Sequence, residues 1–264
     1  MRPDPKGNLA RSKRESDRLL DNDRPSAHPR GVLALESVLA LNGTALVLDA
    51  SCARVQTGLV GSGREPAWIA TNDEAGVGLF RAAAALLESA GLKPQEVGAY
   101  ILCDGPGSQL GIRTAAMAIR TWQALRTELA PIFTYRSLQL AAHGLVDSGT
   151  AMPFAVVCDA RRESWHIVRV APGGAVGLVA RVPAEELAAL GVPLFQPEGF
   201  RSWSDAPVPV AACDYTCGSL FARLASVELL EPAQDAEPWN PAPPDYKKWS
   251  GERHRAPSPS ADAR

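Results

Sequence analysis

The segment "YILCDGPGSQLGIRTAAMAIRTWQAL", residues 100–125, carries the clearest fold signal of the chain. An apolar run ends in a glycine-rich turn, and apolar residues at helical spacing follow, which predicts a strand, a tight turn and a helix. Such turns often hold phosphate groups, because backbone N–H groups converge where glycine lets an anion approach. The alternative is structural: Gly105, Pro106 and Gly107 reverse the chain, and Ser108 caps the helix. Both interpretations stay open from the sequence of this segment.

The composition is that of a globular protein. The chain has 264 residues, of which 46% are hydrophobic and 21% charged, with a formal net charge of -2. This length can bury one core or two lobes, and the near-neutral charge offers no overall attraction to nucleic acid. No apolar run approaches the roughly 18 residues of a membrane span, so we expect a cytoplasmic protein. The five cysteines lie in apolar runs without a CxxC pair, which favours buried thiols over disulfides or a metal site.

Working outward from the opening segment, the two halves of the chain repeat one order of predicted elements. Strand periodicity and helix periodicity alternate in the same way twice, which predicts a duplicated α/β unit. In the first half we predict strands at 45–49, 54–61 and 66–70, a helix at 73–90, a strand at 98–103 and a helix at 110–127. After a strand at 132–134 and a helix at 138–146 come strands at 154–159, 164–170 and 175–181, a helix at 184–190, a strand at 208–213 and a helix at 218–230.

The polar ends of the sequence lack sustained periodicity. We therefore predict a disordered extension at 1–42 and a disordered tail at 250–264. The repeated elements between them predict a first lobe at 43–134 and a second lobe at 135–249.

The first strand of each half ends in an aspartate, in "LVLDAS" and in "AVVCDAR". Strand-end aspartates that face a common cleft hold a metal and nucleotide phosphates in the actin-like, sugar-kinase and Hsp70 (ASKHA) architecture, and this fold class is our prediction. The turns that follow, "DASCA" and "DARRES", lack glycine, so we interpret the site as a remnant of a nucleotide site. Its candidate residues are Asp49, Ser51, Gly105, Gly107, Ser108, Asp159 and Arg161.

Two helices of the first half carry small and apolar side chains on more than one face. Ile112, Ala115, Ile119 and Trp122 form a stripe that predicts a core face. A neighbouring stripe on the same helix, and a matching stripe on the helix predicted at 73–90, suit close packing against another chain. The alternative is an ordinary buried helix pair within one core. The candidate interface residues are Val77, Phe80, Arg81, Ala84, Gly111, Arg113, Ala116, Met117 and Arg120.

With these motifs in order, the sequence resembles the TsaB (YeaZ-like) family, whose members serve the bacterial formation of threonylcarbamoyladenosine in tRNA. The resemblance covers about residues 44–249, through "LVLDAS", "GLVGSGREPAWIA", the segment at 86–125, "SLQLAAHG", "FAVVCDARRESWHIVRV" and "PDYKKW". The most specific part is GPGS followed by Gly111, Ile112 and Arg113. The sequence departs from the family pattern at Ala75, Gln109, Leu110, Ala115 and Ala116.

The resemblance implies a catalytically silent dimerisation and scaffold subunit. Such a chain would pair with a TsaD-like catalytic subunit through its first-half helices, a TsaE-like ATPase would join, and tRNA would be met only through the complex. A homodimer is also possible. The resemblance implies no cofactor and no metal held by this chain alone, with ATP or ADP at the interface of the complex. The competing hypothesis is an ATP-dependent small-molecule kinase or ATPase of the ASKHA fold.

Overall fold

The computed structural model describes residues 31–240, in which two mixed β-sheets are joined and covered by α-helices. The first sheet comprises β1 (Leu33–Ala34), β2 (Thr44–Asp49), β3 (Val55–Gly61), β4 (Arg64–Thr71), β5 (Ala99–Gly105), β6 (Ile132–Arg136) and β12 (Glu228–Ala233). The second comprises β7 (Phe154–Asp159), β8 (Ser164–Val170), β9 (Ala180–Pro183), β10 (Leu194–Pro197) and β11 (Ala211–Cys213). The strand order is β1-β12-β6-β5-β2-β3-β4 in the first sheet and β11-β10-β7-β8-β9 in the second. The helices are α1 (Leu35–Asn42), α2 (Ala75–Ser89), α3 (Gln109–Ala124), α4 (Ser137–Asp147), α5 (Ala184–Ala189) and α6 (Cys217–Arg223).

The two sheets repeat one topology. The order β6-β5-β2-β3-β4 in the first sheet matches β11-β10-β7-β8-β9 in the second, with β2–β5 and β7–β10 both parallel. The predicted duplication is therefore confirmed, and Asp49 and Asp159 end equivalent strands, β2 and β7. We call the first sheet with α2 and α3 the first lobe, and the second sheet with α5 the second lobe.

The central strands are buried on both faces, and their alternating side chains belong to different cores. On β2, Val47 belongs to a core that also contains residues of α4, α6 and β7. Leu46 and Leu48 belong to a second core with residues of α2 and α3. A strand with period-two side chains and apolar residues at every position is the sequence signature of a sheet covered on both sides. Helices α4 and α6 thus lie between the sheets, and α2 and α3 lie on the outer face of the first.

The predicted disordered extension at 1–42 is wrong for its last part. Residues 33–42 form β1 and α1, in which Val38 is fully buried and Leu35 is 6% exposed. Glu36, whose charge interrupts the apolar run, lies on the exposed side of α1. A helix this short gains its stability from tertiary packing rather than from its own propensity. Residues 1–30 and the predicted tail at 250–264 lie outside the described residues.

The end of the second half also differs from the sequence prediction. The helix predicted at 218–230 ends at Arg223, and the apolar residues after it form β12, which pairs antiparallel with β6. The segment at 228–233, predicted within the second lobe, therefore belongs to the first sheet. The sequence also missed β10, and the strand predicted at 175–181 is found at Ala180–Pro183. Among the helices of residues 31–240, none has the length and apolar character needed to cross a membrane.

Candidate functional site

Asp49, at the end of β2, is fully buried between the lobes and is surrounded by hydrogen-bond donors of the chain itself. Its Oδ1 accepts from the Ser51 backbone N–H at 2.8 Å and from the Ser51 hydroxyl at 2.7 Å. Its Oδ2 accepts from the hydroxyls of Tyr135 and Tyr215, each at 2.7 Å, and from the Cys217 thiol at 3.5 Å. Both carboxylate oxygens of Asp49 thus accept hydrogen bonds from groups of the chain itself.

The donors around Asp49 keep their protons at neutral pH. Burial raises the pKa of Tyr135, Tyr215 and Cys217 well above the usual ranges, and the nearby negative charge of Asp49 raises them further. Cys103, on β5, is raised in the same way. Protonated groups that converge on a buried carboxylate stabilise its charge. The cluster around Asp49 is therefore a closed hydrogen-bonded network that stabilises the contact between the lobes.

The glycine turn after β5 packs directly on the loop that follows Asp49. The backbone N–H of Ser108 donates to the Ser51 carbonyl at 2.6 Å, and a Cβ on Gly107 would lie 2.2 Å from that same oxygen. The Ser108 hydroxyl accepts from the Gly111 backbone N–H at 3.3 Å, which confirms the predicted helix cap. The structure therefore brings Asp49, Ser51, Gly105, Gly107 and Ser108 together, with the Ser108 N–H engaged by Ser51.

Asp159, the equivalent of Asp49 in the second half, has a separate set of partners. Its Oδ2 accepts from the backbone N–H groups of Trp203 and Ser204, at 2.6 and 2.8 Å, and from the Ser204 hydroxyl at 2.9 Å. Burial alone would raise the pKa of Asp159, but these hydrogen bonds and one from the Arg161 backbone N–H lower it below the ordinary value. The Arg161 guanidinium lies 4.5 Å from the centre of the Trp203 ring. Asp159 and Arg161 therefore hold the loop around Trp203.

A third group of residues at this end of the first sheet was missed in the sequence. Asp104, just before the glycine turn, forms a buried ion pair with Arg136 at the end of β6. Burial raises the pKa of Asp104 to about 7, although the Arg136 charge lowers it. The backbone N–H of Trp239 donates to the Asp104 carbonyl at 2.8 Å. The only sequence signal was a charge at the end of an apolar strand.

The outer surface of the first lobe presents an exposed helix face, formed by Val77, Phe80 and Ala84 of α2 and by Leu110, Arg113 and Met117 of α3. Val77 is 47%, Phe80 42% and Met117 55% exposed. The side chains repeat at spacings of three and four along each helix, which places each set in one stripe. The Phe80 ring contacts the Trp122 ring edge-to-face, with 6.1 Å between the ring centres. Large apolar side chains grouped in this way on two packed helices mark a surface suited to another protein.

Two of the predicted interface residues are not on this surface. Gly111 is buried, and a Cβ there would lie 2.1 Å from the Ala50 carbonyl oxygen, so its small size serves packing within the chain. Ala116 is 2% exposed and belongs to the core beneath α2 and α3. Arg81 is exposed and pairs with Asp73 at 3.1 Å. Arg120 is partly exposed and bound by Asp235 and Glu237.

The predictions for the core face and for the cysteines are confirmed. Ile112, Ala115, Ile119 and Trp122 are buried, and all five cysteines are buried free thiols.

No family model matches the sequence, and no curated protein is significantly similar to it. Among solved structures, YeaZ from Pseudomonas aeruginosa matches with a TM-score of 0.54 and 21% identity, over 75% of this chain and 99% of that one. A second Pseudomonas aeruginosa structure, of an uncharacterized protein with similarity to peptidase YEAZ, matches with a TM-score of 0.49 and 23% identity, over 70% and 95% of the two chains. The Aquifex aeolicus Ppx/GppA phosphatase matches with a TM-score of 0.32 and 12% identity, over 60% and 68%. The chain has the fold of YeaZ, and the predicted two-lobed ASKHA class is confirmed.

Proposed function

We propose that this chain is a non-catalytic dimerisation and scaffold subunit of a cytoplasmic complex that forms threonylcarbamoyladenosine in tRNA. In this proposal it pairs with a TsaD-like catalytic subunit, a TsaE-like ATPase joins the pair, and tRNA is met only through the complex. The observation that carries the proposal is the exposed helix face on α2 and α3 in a chain with the fold of YeaZ.

The exposed helix face supports pairing for a physical reason. Phe80 and Met117 are large apolar side chains that remain 42% and 55% exposed, while the helices beneath them are well packed. Burying such side chains against a partner removes apolar surface from water at about 25 cal/mol per Å². Arg113 lies one turn before Met117 on α3 and is exposed, so the partner surface we expect is apolar with an acidic group at its edge.

The closed cluster around Asp49 supports a silent role. A kinase or ATPase of this fold would need Asp49 free to hold a metal and phosphate, but each of its oxygens accepts from two or more groups of the chain. Gly107 also lies against Ser51 too closely for an anion to enter between them. We therefore propose that ATP or ADP, where required, binds at the interface of the complex rather than in this chain.

Co-expression with the TsaD-like subunit of the same genome tests the pairing. We expect the two chains to co-elute, and we expect Met117→Asp to lower the co-eluted fraction by raising the Kd of the pair at least about tenfold, which corresponds to about 1.4 kcal/mol of binding free energy. Leu178→Asp is the matched control, because Leu178 is 58% exposed and lies in the second half of the chain. Elution with and without ATP shows whether the nucleotide stabilises the pair.

Two outcomes would overturn the proposal. One is the absence of a complex for the unsubstituted chain, and the other is an equal effect of Met117→Asp and Leu178→Asp. If no TsaD-like chain co-elutes and the chain forms a homodimer that Met117→Asp converts to a monomer, the first of these outcomes has occurred and the exposed helix face serves self-association.

Calorimetry of the isolated chain with ATP and Mg²⁺ tests the competing enzyme hypothesis. We expect no binding in the micromolar range. Micromolar binding that is lost in Asp49→Ala, in a variant that still unfolds cooperatively, would favour a small-molecule kinase or ATPase.

A further inference from the structure

We propose that residues 235–239 form a strap, which is anchored to α3 at one end and holds the two lobes at a fixed separation at the other. These residues follow β12, the strand that returns the chain to the first sheet. They run from the surface of α3 to the cleft, where Trp239 contacts residues of both lobes. The strap goes beyond the proposed scaffold role, because it assigns a conformational task to a segment that takes no part in the exposed helix face.

The first end of the strap is bound to α3 by Arg120. Its Nε donates to Asp235 Oδ1 at 3.0 Å and its Nη2 to Asp235 Oδ2 at 2.6 Å, which is a bidentate pair. The same Nη2 donates to Glu237 Oε1 at 2.9 Å. Between these two acidic residues, Ala236 is fully buried in the core beneath α2 and α3. One arginine thus holds two carboxylates on either side of a buried residue, which fixes the path of the strap.

The second end of the strap lies between the lobes. The Trp239 backbone N–H donates to the Asp104 carbonyl of the first lobe at 2.8 Å, and the Arg136 guanidinium lies 5.4 Å from the Trp239 ring centre. On the other side, the ring meets His166 on β8 of the second lobe, with 5.6 Å between the ring centres and an interplanar angle of 62°. A single indole therefore spans the cleft, with a cation–π contact on one side and an edge contact on the other.

The residues that Trp239 contacts favour a strap that can open. Within the described part of the chain, the Nδ1 atom of His166 is buried without a hydrogen-bond partner. A buried polar atom without a partner is costly, and the ring that carries it is the one that Trp239 contacts in the second lobe. The closed arrangement thus sets the contacts of Trp239 against an unsatisfied group of the second lobe. Such a balance suits an element with two accessible positions.

Distance measurements between spin labels on the two lobes test the strap in the full chain. Cysteines introduced as Leu129→Cys and Leu178→Cys are suitable sites, because both residues are exposed whereas all five native cysteines are buried. We expect one narrow distance distribution for the otherwise unsubstituted chain. In Trp239→Ala and in Arg120→Gln we expect a second population above about 10%, which exceeds the usual range of minor states.

Two further variants keep the test interpretable. Arg223→Gln is the matched control, since the Arg223–Asp147 pair is similarly exposed and lies away from the strap, and we expect it to leave the distribution unchanged. Trp239→Phe keeps an aromatic ring and should therefore give a smaller second population of distances than Trp239→Ala. If Trp239→Ala does not fold, Trp239→Phe takes its place in the test. The proposal is overturned if the strap variants keep one narrow distribution, or if Arg223→Gln changes it as much as Arg120→Gln does.

Discussion

The closed cluster around Asp49 makes a quantitative prediction for Tyr215→Phe. The substitution removes only the hydroxyl that donates to Asp49 Oδ2 at 2.7 Å, and Tyr215 is fully buried, so water cannot replace the donor. A hydrogen bond to a charged group contributes roughly 1.5–3 kcal/mol, against about 1 kcal/mol between neutral groups. We therefore expect Tyr215→Phe to lower the free energy of unfolding by about 2 kcal/mol.

Ser137→Ala is the matched control for this prediction. Ser137 is also fully buried, but its hydroxyl donates to the neutral carbonyl of Pro106 at 2.5 Å, so we expect a loss of only about 1 kcal/mol. The double variant Tyr135→Phe/Tyr215→Phe leaves Asp49 Oδ2 with the Cys217 thiol, and its loss should exceed the sum of the single losses by about 0.5 kcal/mol or more.

Urea unfolding followed by circular dichroism measures these differences as shifts of the midpoint at constant slope. The reasoning is refuted if Tyr215→Phe costs no more than Ser137→Ala, because the hydroxyl would then not be stabilising a buried charge. A stabilising effect of Tyr215→Phe would refute it more strongly.

The remaining predictions concern backbone packing and pH. Gly111→Ala should lower the free energy of unfolding by at least about 2 kcal/mol, because the new Cβ would lie 2.1 Å from the Ala50 carbonyl oxygen. Gly76→Ala, on α2 with open space around it, should raise the free energy of unfolding by about 0.5–1 kcal/mol. Urea unfolding measures both variants, and the packing argument is contradicted if both substitutions stabilise the chain or both destabilise it. Asp104 has a folded-state pKa of about 7, against an ordinary value of 3.8. Between these pH values the folded chain keeps a proton on Asp104 that the unfolded chain releases, so protonation stabilises the fold at low pH and this stabilisation is lost as pH rises through 7. Asp104→Asn lacks this titration, so its free energy of unfolding minus that of the unsubstituted chain should increase by up to about 1.4 kcal/mol per pH unit from pH 4 to 7. A difference that does not change with pH would show that Asp104 is ionised throughout this range.

The local features of the fold could be predicted because neighbouring residues decide them. Runs of consecutive apolar residues in β2 and β5, at 45–48 and 99–103, indicate strands covered on both faces, and Ser108 indicates a helix start by its own side chain. The repeated order of elements then indicated two similar sheets. The short α1 was missed because Glu36 interrupts an apolar run that only tertiary packing makes helical. Likewise β12 is a strand through its pairing with β6, which no local pattern reveals.

The candidate site was predictable only in part. The sequence by itself determined that Asp49 and Asp159 end equivalent strands and that the glycine turn starts a capped helix, because these properties depend on residues close in the chain. Only the tertiary structure decided what meets Asp49, since Tyr135 and Tyr215 lie 86 and 166 residues away from it in sequence. The same holds for Gly111 and Ala116, whose small side chains suit an external or an internal contact equally well in sequence. Their burial followed from the position of Ala50 and of the core beneath α3, because packing against distant segments is a property of the folded chain.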